Sequence, residues 1–77
     1  MIEKFRLKEL RKEAKLSQKC LAKQLNVSQS TICKWESGCL SPHLTQLVNI
    51  KTFFNVTVDY LIGLSDEKLS TKKYARN

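Results

Sequence analysis

Residues 18–37, QKCLAKQLNVSQSTICKWES, decide how this chain folds. Leu21, Ala22 and Leu25 mark one helical face, and after Val27 a second face follows at Ile32 and Trp35, each with three- or four-residue spacing. Ser17 stands where the first helix needs an N-cap and Ser28 where the second does, because a hydroxyl there accepts an amide hydrogen that otherwise has no partner. Asn26 falls at the bend, and Asn is the residue after Gly that best tolerates left-handed backbone. The stretch predicts helices over 18–25 and 29–36 joined by a tight turn. Gln29, Ser30, Thr31 and Lys34 remain on the outer face of the second helix, and these side-chain types hydrogen-bond base edges in a DNA major groove.

Working outward, the spacing of Leu7, Leu10 and Ala14 predicts a first helix over about 5–15, with basic residues around it. Gly38 is a natural stop for the third helix. Ser41-Pro42 reads as an N-cap followed by proline at the first helical position, where its missing amide hydrogen costs nothing. Leu44, Leu47, Ile50 and Phe54 then give the core face of a fourth helix that ends at Asn55. Thr57 caps a short fifth helix with Val58, Leu61 and Ile62, and Asp59 sits in its first turn at the positive end of the dipole. Gly63 closes it. Residues beyond Ser65 lack a continuous apolar face, so a domain over 1–66 and a basic, frayed tail over 67–77 are expected.

The chain has 77 residues, enough for one domain near the lower size limit of an unstapled core. Its 42% hydrophobic content, with only two Gly and one Pro, fits a globular and largely helical protein. The apolar runs are too short to span a bilayer and no signal-peptide pattern opens the chain, so a cytoplasmic protein is expected. The net charge is +7 and unevenly spread. Residues 1–34 carry nine Lys or Arg against three Glu, residues 35–67 carry one Lys against four acids, and the remainder adds four basic residues. A cationic half followed by a mildly acidic half suits a phosphate-facing side and a side turned elsewhere, although acidic proteins or anionic lipid also attract such charge.

The segments RLKELRKEAKLSQ, LAKQLNVSQSTICKWESG and SPHLTQLVNIKTFFNVTVDYLIGLSD, in that order over about residues 5–66, closely resemble the XRE-type helix-turn-helix family that includes the phage repressors and Cro. The resemblance implies an all-α, compact five-helix, lambda-repressor-like DNA-binding domain with the helix-turn-helix as helices two and three. It implies homodimers on two-fold operators, with the third helix in the major groove of double-stranded DNA. By position, Gln18 matches a phosphate contact at a helix N-terminus, with Lys19 beside it. Gln29, Ser30 and Lys34 match base-reading positions, while Ser28 and Thr31 match contacts that fix register. Ser37 and His43 match contacts to the far backbone, with His in place of a more usual cation. Arg11 and Glu36 match a buried structural ion pair. Phe54, Val56, Leu61 and Leu64 are the residues the family's dimer region offers here.

The chain departs from the family at four further places. Asn26 replaces the usual Gly of the turn, and Cys20, Cys33 and Cys39 replace polar residues. Cys20 takes the place of a Glu that would complete a capping box with Ser17. An odd cysteine count without C-x-x-C, in a chain with no secretion signal, predicts reduced thiols. Three readings stand side by side: small side chains that are merely tolerated, a thiol switch in which oxidation of Cys33 disturbs the reading face, and a metal site from Cys20, Cys33, Cys39 and His43. The spacing C-x12-C-x5-C-x3-H matches no standard metal pattern.

A sequence-specific transcriptional regulator, acting as a repressor and homodimer, is the function expected from these residues together with the resemblance. No cofactor, membrane or small-molecule ligand is expected, and His43 lacks partners for an enzyme. Two alternatives share the fold: an autorepressing antitoxin whose C-terminal part binds a toxin, and an adaptor that has lost DNA binding. Acidic residues on the third helix would mark the adaptor, and none falls between Gln29 and Trp35.

Overall fold

The computed structural model describes residues 5–68. Among them are five helices and no strand: α1 (Leu7–Glu13), α2 (Gln18–Leu25), α3 (Gln29–Ser37), α4 (Leu44–Phe54) and α5 (Val58–Leu61). Three of the four N-caps that the sequence predicts are in place. Ser17 Oγ accepts from the Cys20 amide at 3.0 Å, Ser28 Oγ from the Thr31 amide at 3.1 Å and Thr57 Oγ1 from the Tyr60 amide at 3.0 Å. Asn26 and Asn55 take left-handed backbone at φ 59° and 58°, the conformation that ends α2 and α4.

The apolar faces converge on a core of Leu7, Leu10, Leu21, Ala22, Ile32, Trp35, Ile50, Val56, Tyr60 and Leu61. Trp35 is among them, so its ring is packing and not a platform for bases. Burying side chains of this size contributes roughly 1.5–3 kcal/mol each, which is what opposes chain entropy in so small a domain.

Four details differ from the sequence reading. Helix α1 is shorter than 5–15, because Arg6 is drawn out to donate its backbone amide to Leu61 O at 2.9 Å and Lys15 turns left-handed at φ 60°. Helix α4 starts at Leu44 with His43 as its N-cap, not at Ser41. What sets that start is Gln46, whose Oε1 accepts from the His43 amide at 2.8 Å, while Pro42 lies buried in the preceding loop. Leu44 is 73% exposed and does not belong to the core face. It lies about 90° round the helix from the face of Leu47, Ile50 and Phe54, at roughly 100° per residue. In α5 it is Tyr60 and Leu61 that are buried, with Val58 and Ile62 half-buried.

Residues 65–68 lie back against the helices. Arg6 Nη2 pairs with Asp66 Oδ1 at 2.7 Å, the Thr57 amide donates to Lys68 O at 2.8 Å, and Lys68 Nζ meets Glu13 Oε1 at 3.0 Å. The rest of the expected tail, from residue 69, lies outside the described residues.

Candidate nucleic-acid interface

Helix α3 presents two opposite faces. Ile32 and Trp35 are buried, while Gln29, Ser30, Cys33, Lys34 and Ser37 are exposed. Positions 30, 33, 34 and 37 repeat at three- and four-residue intervals, so they form one stripe along the helix. Its side chains are a carboxamide, two hydroxyls, a thiol and an ammonium, with no carboxylate to repel a polyanion. Such a stripe can donate to and accept from base edges.

At its N-terminal end, Ser28 Oγ lies 2.9 Å from Thr31 Oγ1, so both hydroxyls are oriented by the cap. At its C-terminal end, Ser37 Oγ donates to Lys34 O at 3.2 Å. Gly38 then turns the chain at φ +86° into the loop that leads to His43, which is exposed at the start of α4. Lys19 is exposed on the first turn of α2.

Glu36 fixes how α3 sits on the domain. Arg11 donates to it twice, Nε to Oε2 at 2.6 Å and Nη2 to Oε1 at 3.1 Å, and Gln18 Nε2 adds a third bond to Oε1 at 3.0 Å. The Arg11 and Glu36 side chains are only 11% and 4% exposed. Burial alone would raise the Glu36 carboxyl, but the bonds from Arg11 and Gln18 outweigh it and hold the group below the usual glutamate range. The hydrogen bond to Glu36 likewise raises Arg11 against the opposing effect of burial.

The sequence missed two features here. The Gln18 carboxamide, expected at a phosphate, is instead half-buried and bound to Glu36, which leaves its backbone amide as the group at the helix start. Arg6, one of the basic residues around the first helix, is 7% exposed and lies 4.2 Å over the Tyr60 ring. Nothing short-range in the sequence signals that contact. Of the expected dimer residues, Val56 and Leu61 are buried in the chain's own core and present nothing to a second copy. Phe54 is half-buried and Leu64 is exposed.

Cys20, Cys33 and Cys39 are exposed free thiols. The neighbouring Ser17 hydroxyl lowers the Cys20 thiol pKa against the effect of burial, aided by Lys23 and Lys19. Among the described residues no three His, Cys, Asp or Glu side chains are grouped to hold a metal ion, so Cys20, Cys33, Cys39 and His43 are not brought together as ligands. Nor is any described helix long and apolar enough to cross a membrane.

The family profile of the helix-turn-helix matches residues 7–61, which contain all five helices. The chain is 44% identical over 72 residues to the HTH-type transcriptional activator BcrR of Enterococcus faecalis, a stretch covering 94% of this chain and 34% of that protein. It is 36% identical over 62 residues to the uncharacterized HTH-type transcriptional regulator YobD of Bacillus subtilis, covering 80% and 55%. It is also 34% identical over 58 residues to the HTH-type transcriptional regulator ImmR of Bacillus subtilis, covering 75% and 46%. The chain thus spans between about a third and somewhat over half the length of these curated relatives. No solved structure matches it.

Proposed function

Because the chain belongs to the XRE-type helix-turn-helix family of DNA-binding transcriptional regulators, we propose that it binds a specific two-fold operator as a homodimer, with α3 in the major groove. The observation that carries this reading is the exposed stripe of α3, which is polar, free of carboxylates and opposite the buried Ile32 and Trp35. Gln29 is suited to pair with both edge atoms of adenine, and Lys34 to favour guanine. Ser30 can serve either base. Ser28, Thr31, Ser37, His43, Lys19 and the amide of Gln18 contact phosphates and set register. The surplus of cations over the first three helices supplies the salt-sensitive part of the affinity.

Repression is the mode we assign. Excluding other proteins from a promoter requires only occupancy, which a dimer of such domains provides without further chemistry. The relative named as an activator matches this chain over only 34% of its length.

The test is selection of bound duplexes from a random pool at one fixed salt concentration, run with the wild type, Gln29→Ala and Lys34→Ala. A palindromic consensus that relaxes at separate positions in the two variants is the expected result. Binding to every duplex alike, with no enrichment, overturns the reading.

A further inference from the structure

The exposed residues of α3 are Gln29, Ser30, Cys33, Lys34 and Ser37. In the operator reading above, Gln29, Ser30 and Lys34 face base edges and Ser37 a phosphate, each through a group that hydrogen-bonds strongly. Cys33 has no such part, yet it holds the middle of the stripe. It stands four residues after Gln29, three after Ser30 and four before Ser37, so all three are its neighbours one turn away. At roughly 100° per residue, its direction from the helix axis falls between those of Gln29 and Lys34. A helix that lays Gln29 and Lys34 on base edges therefore lays the thiol between them on the floor of the same groove.

We infer that Cys33 is a specificity residue whose Sγ packs on the 5-methyl group of a thymine, at a base pair between those read by Gln29 and Lys34, a conclusion that rests on the operator reading above. The edges of the major groove carry hydrogen-bonding atoms and one apolar group, the thymine methyl. Sulfur is a weak donor and a weak acceptor, so it gains little from the former, and as a small hydrophobe it gains from the latter. Cytosine offers no methyl at that place, only an amino donor that sulfur accepts poorly. The other exposed side chains of the stripe are polar. Thr31, whose methyl is the remaining apolar group near this end, is half-buried, with its hydroxyl 2.9 Å from Ser28 Oγ at the cap. The stripe thus has one soft position, suited to one methyl.

The experiment titrates the full chain, under reducing conditions, with the duplex selected from the random pool and with copies of it in which each thymine in turn is deoxyuridine. That exchange removes the methyl and leaves every hydrogen-bonding atom in place. The wild type is run beside Cys33→Ser, a change of one atom at an exposed position, and far-UV circular dichroism checks that the variant folds. One thymine is expected whose methyl strengthens wild-type binding about fourfold per half-site, the worth of one buried methyl, and does nothing for Cys33→Ser. Coupling confined to that pair assigns the contact to Cys33, since changes at sites that do not touch add independently. A selected site in which no thymine methyl matters to the wild type overturns the inference and keeps the operator reading. So does a methyl whose removal costs the wild type and Cys33→Ser alike, because another side chain then holds it. A wild type that enriches no sequence defeats the operator reading, and the inference falls with it.

Discussion

Arg11 on α1 grips Glu36 on α3 through two hydrogen bonds of 2.6 and 3.1 Å, and Gln18 on α2 reaches the same carboxylate at 3.0 Å. Three helices therefore meet at one charge on α3, at the position two turns on from Gln29. The pose of the reading helix depends on a polar joint as well as on the apolar core beneath it.

Removing one member of that joint strands the other. Arg11→Met is expected to cost about 3–5 kcal/mol, because the Glu36 carboxylate stays buried without its cation. The double variant Arg11→Met/Glu36→Leu should recover most of that loss. Urea denaturation of the two variants checks it, and a single variant as stable as the wild type would show that the pair contributes nothing.

Acid should loosen the same joint. The Glu36 carboxyl is held below its unfolded value, so its contribution to stability is complete above the ordinary glutamate pKa of about 4.3. As pH falls through that value and then through the lower folded-state value, protonation removes the contribution. The unfolding midpoint of the wild type should therefore drop over that window more steeply than that of Glu36→Gln. Parallel profiles would assign the acid sensitivity to other carboxyls.

The turn between α2 and α3 makes a backbone prediction. Asn26 holds φ 59°, where a Cβ-bearing residue without a carboxamide pays about 1–2 kcal/mol. Asn26→Ala should lower the melting temperature and Asn26→Gly should leave it near or above the wild-type value, as read by calorimetry. An Ala variant as stable as Gly would mean that the turn has no such demand.

Two exposed lysines should fail in different ways on DNA. Lys19→Ala is expected to weaken binding to all duplexes alike and to reduce the salt slope by about 1, the signature of a lost phosphate contact. Lys34→Ala should cost about 1–3 kcal/mol on the selected site and relax preference at one base pair. Titrations of specific and scrambled duplexes at several salt concentrations separate the two, and identical behaviour would remove Lys34 from the reading set.

What the sequence displays and what it conceals follow from distance along the chain. The turn from Ser17 to Gly38 is legible because its signals are local: a hydroxyl three residues before the amide it caps, an Asn at the bend, apolar residues one turn apart. The stripe of α3 follows once Ile32 and Trp35 are recognised as inward. The start of α4 is misread because Ser41-Pro42 is a good local signal that loses to the Gln46 carboxamide on the His43 amide. Arg6 over Tyr60, and Arg6 against Asp66, join residues more than fifty positions apart, and no spacing rule reaches that far. Val56 and Leu61 look like spare apolar surface in the sequence, yet a domain this small needs them for its own interior.

Arg6 also closes the domain into a loop. Its amide holds Leu61 O, its guanidinium holds Ser65 O and Asp66, and Lys68 reaches back to Glu13. The first and last turns of the helical domain are thereby fastened to each other, so neither can peel away without undoing the other's contacts. Unravelling from one edge and from the other becomes a single event. Amide hydrogens near residues 6–10 and 57–62 should then exchange with solvent at a shared rate, set by how often that one clasp opens.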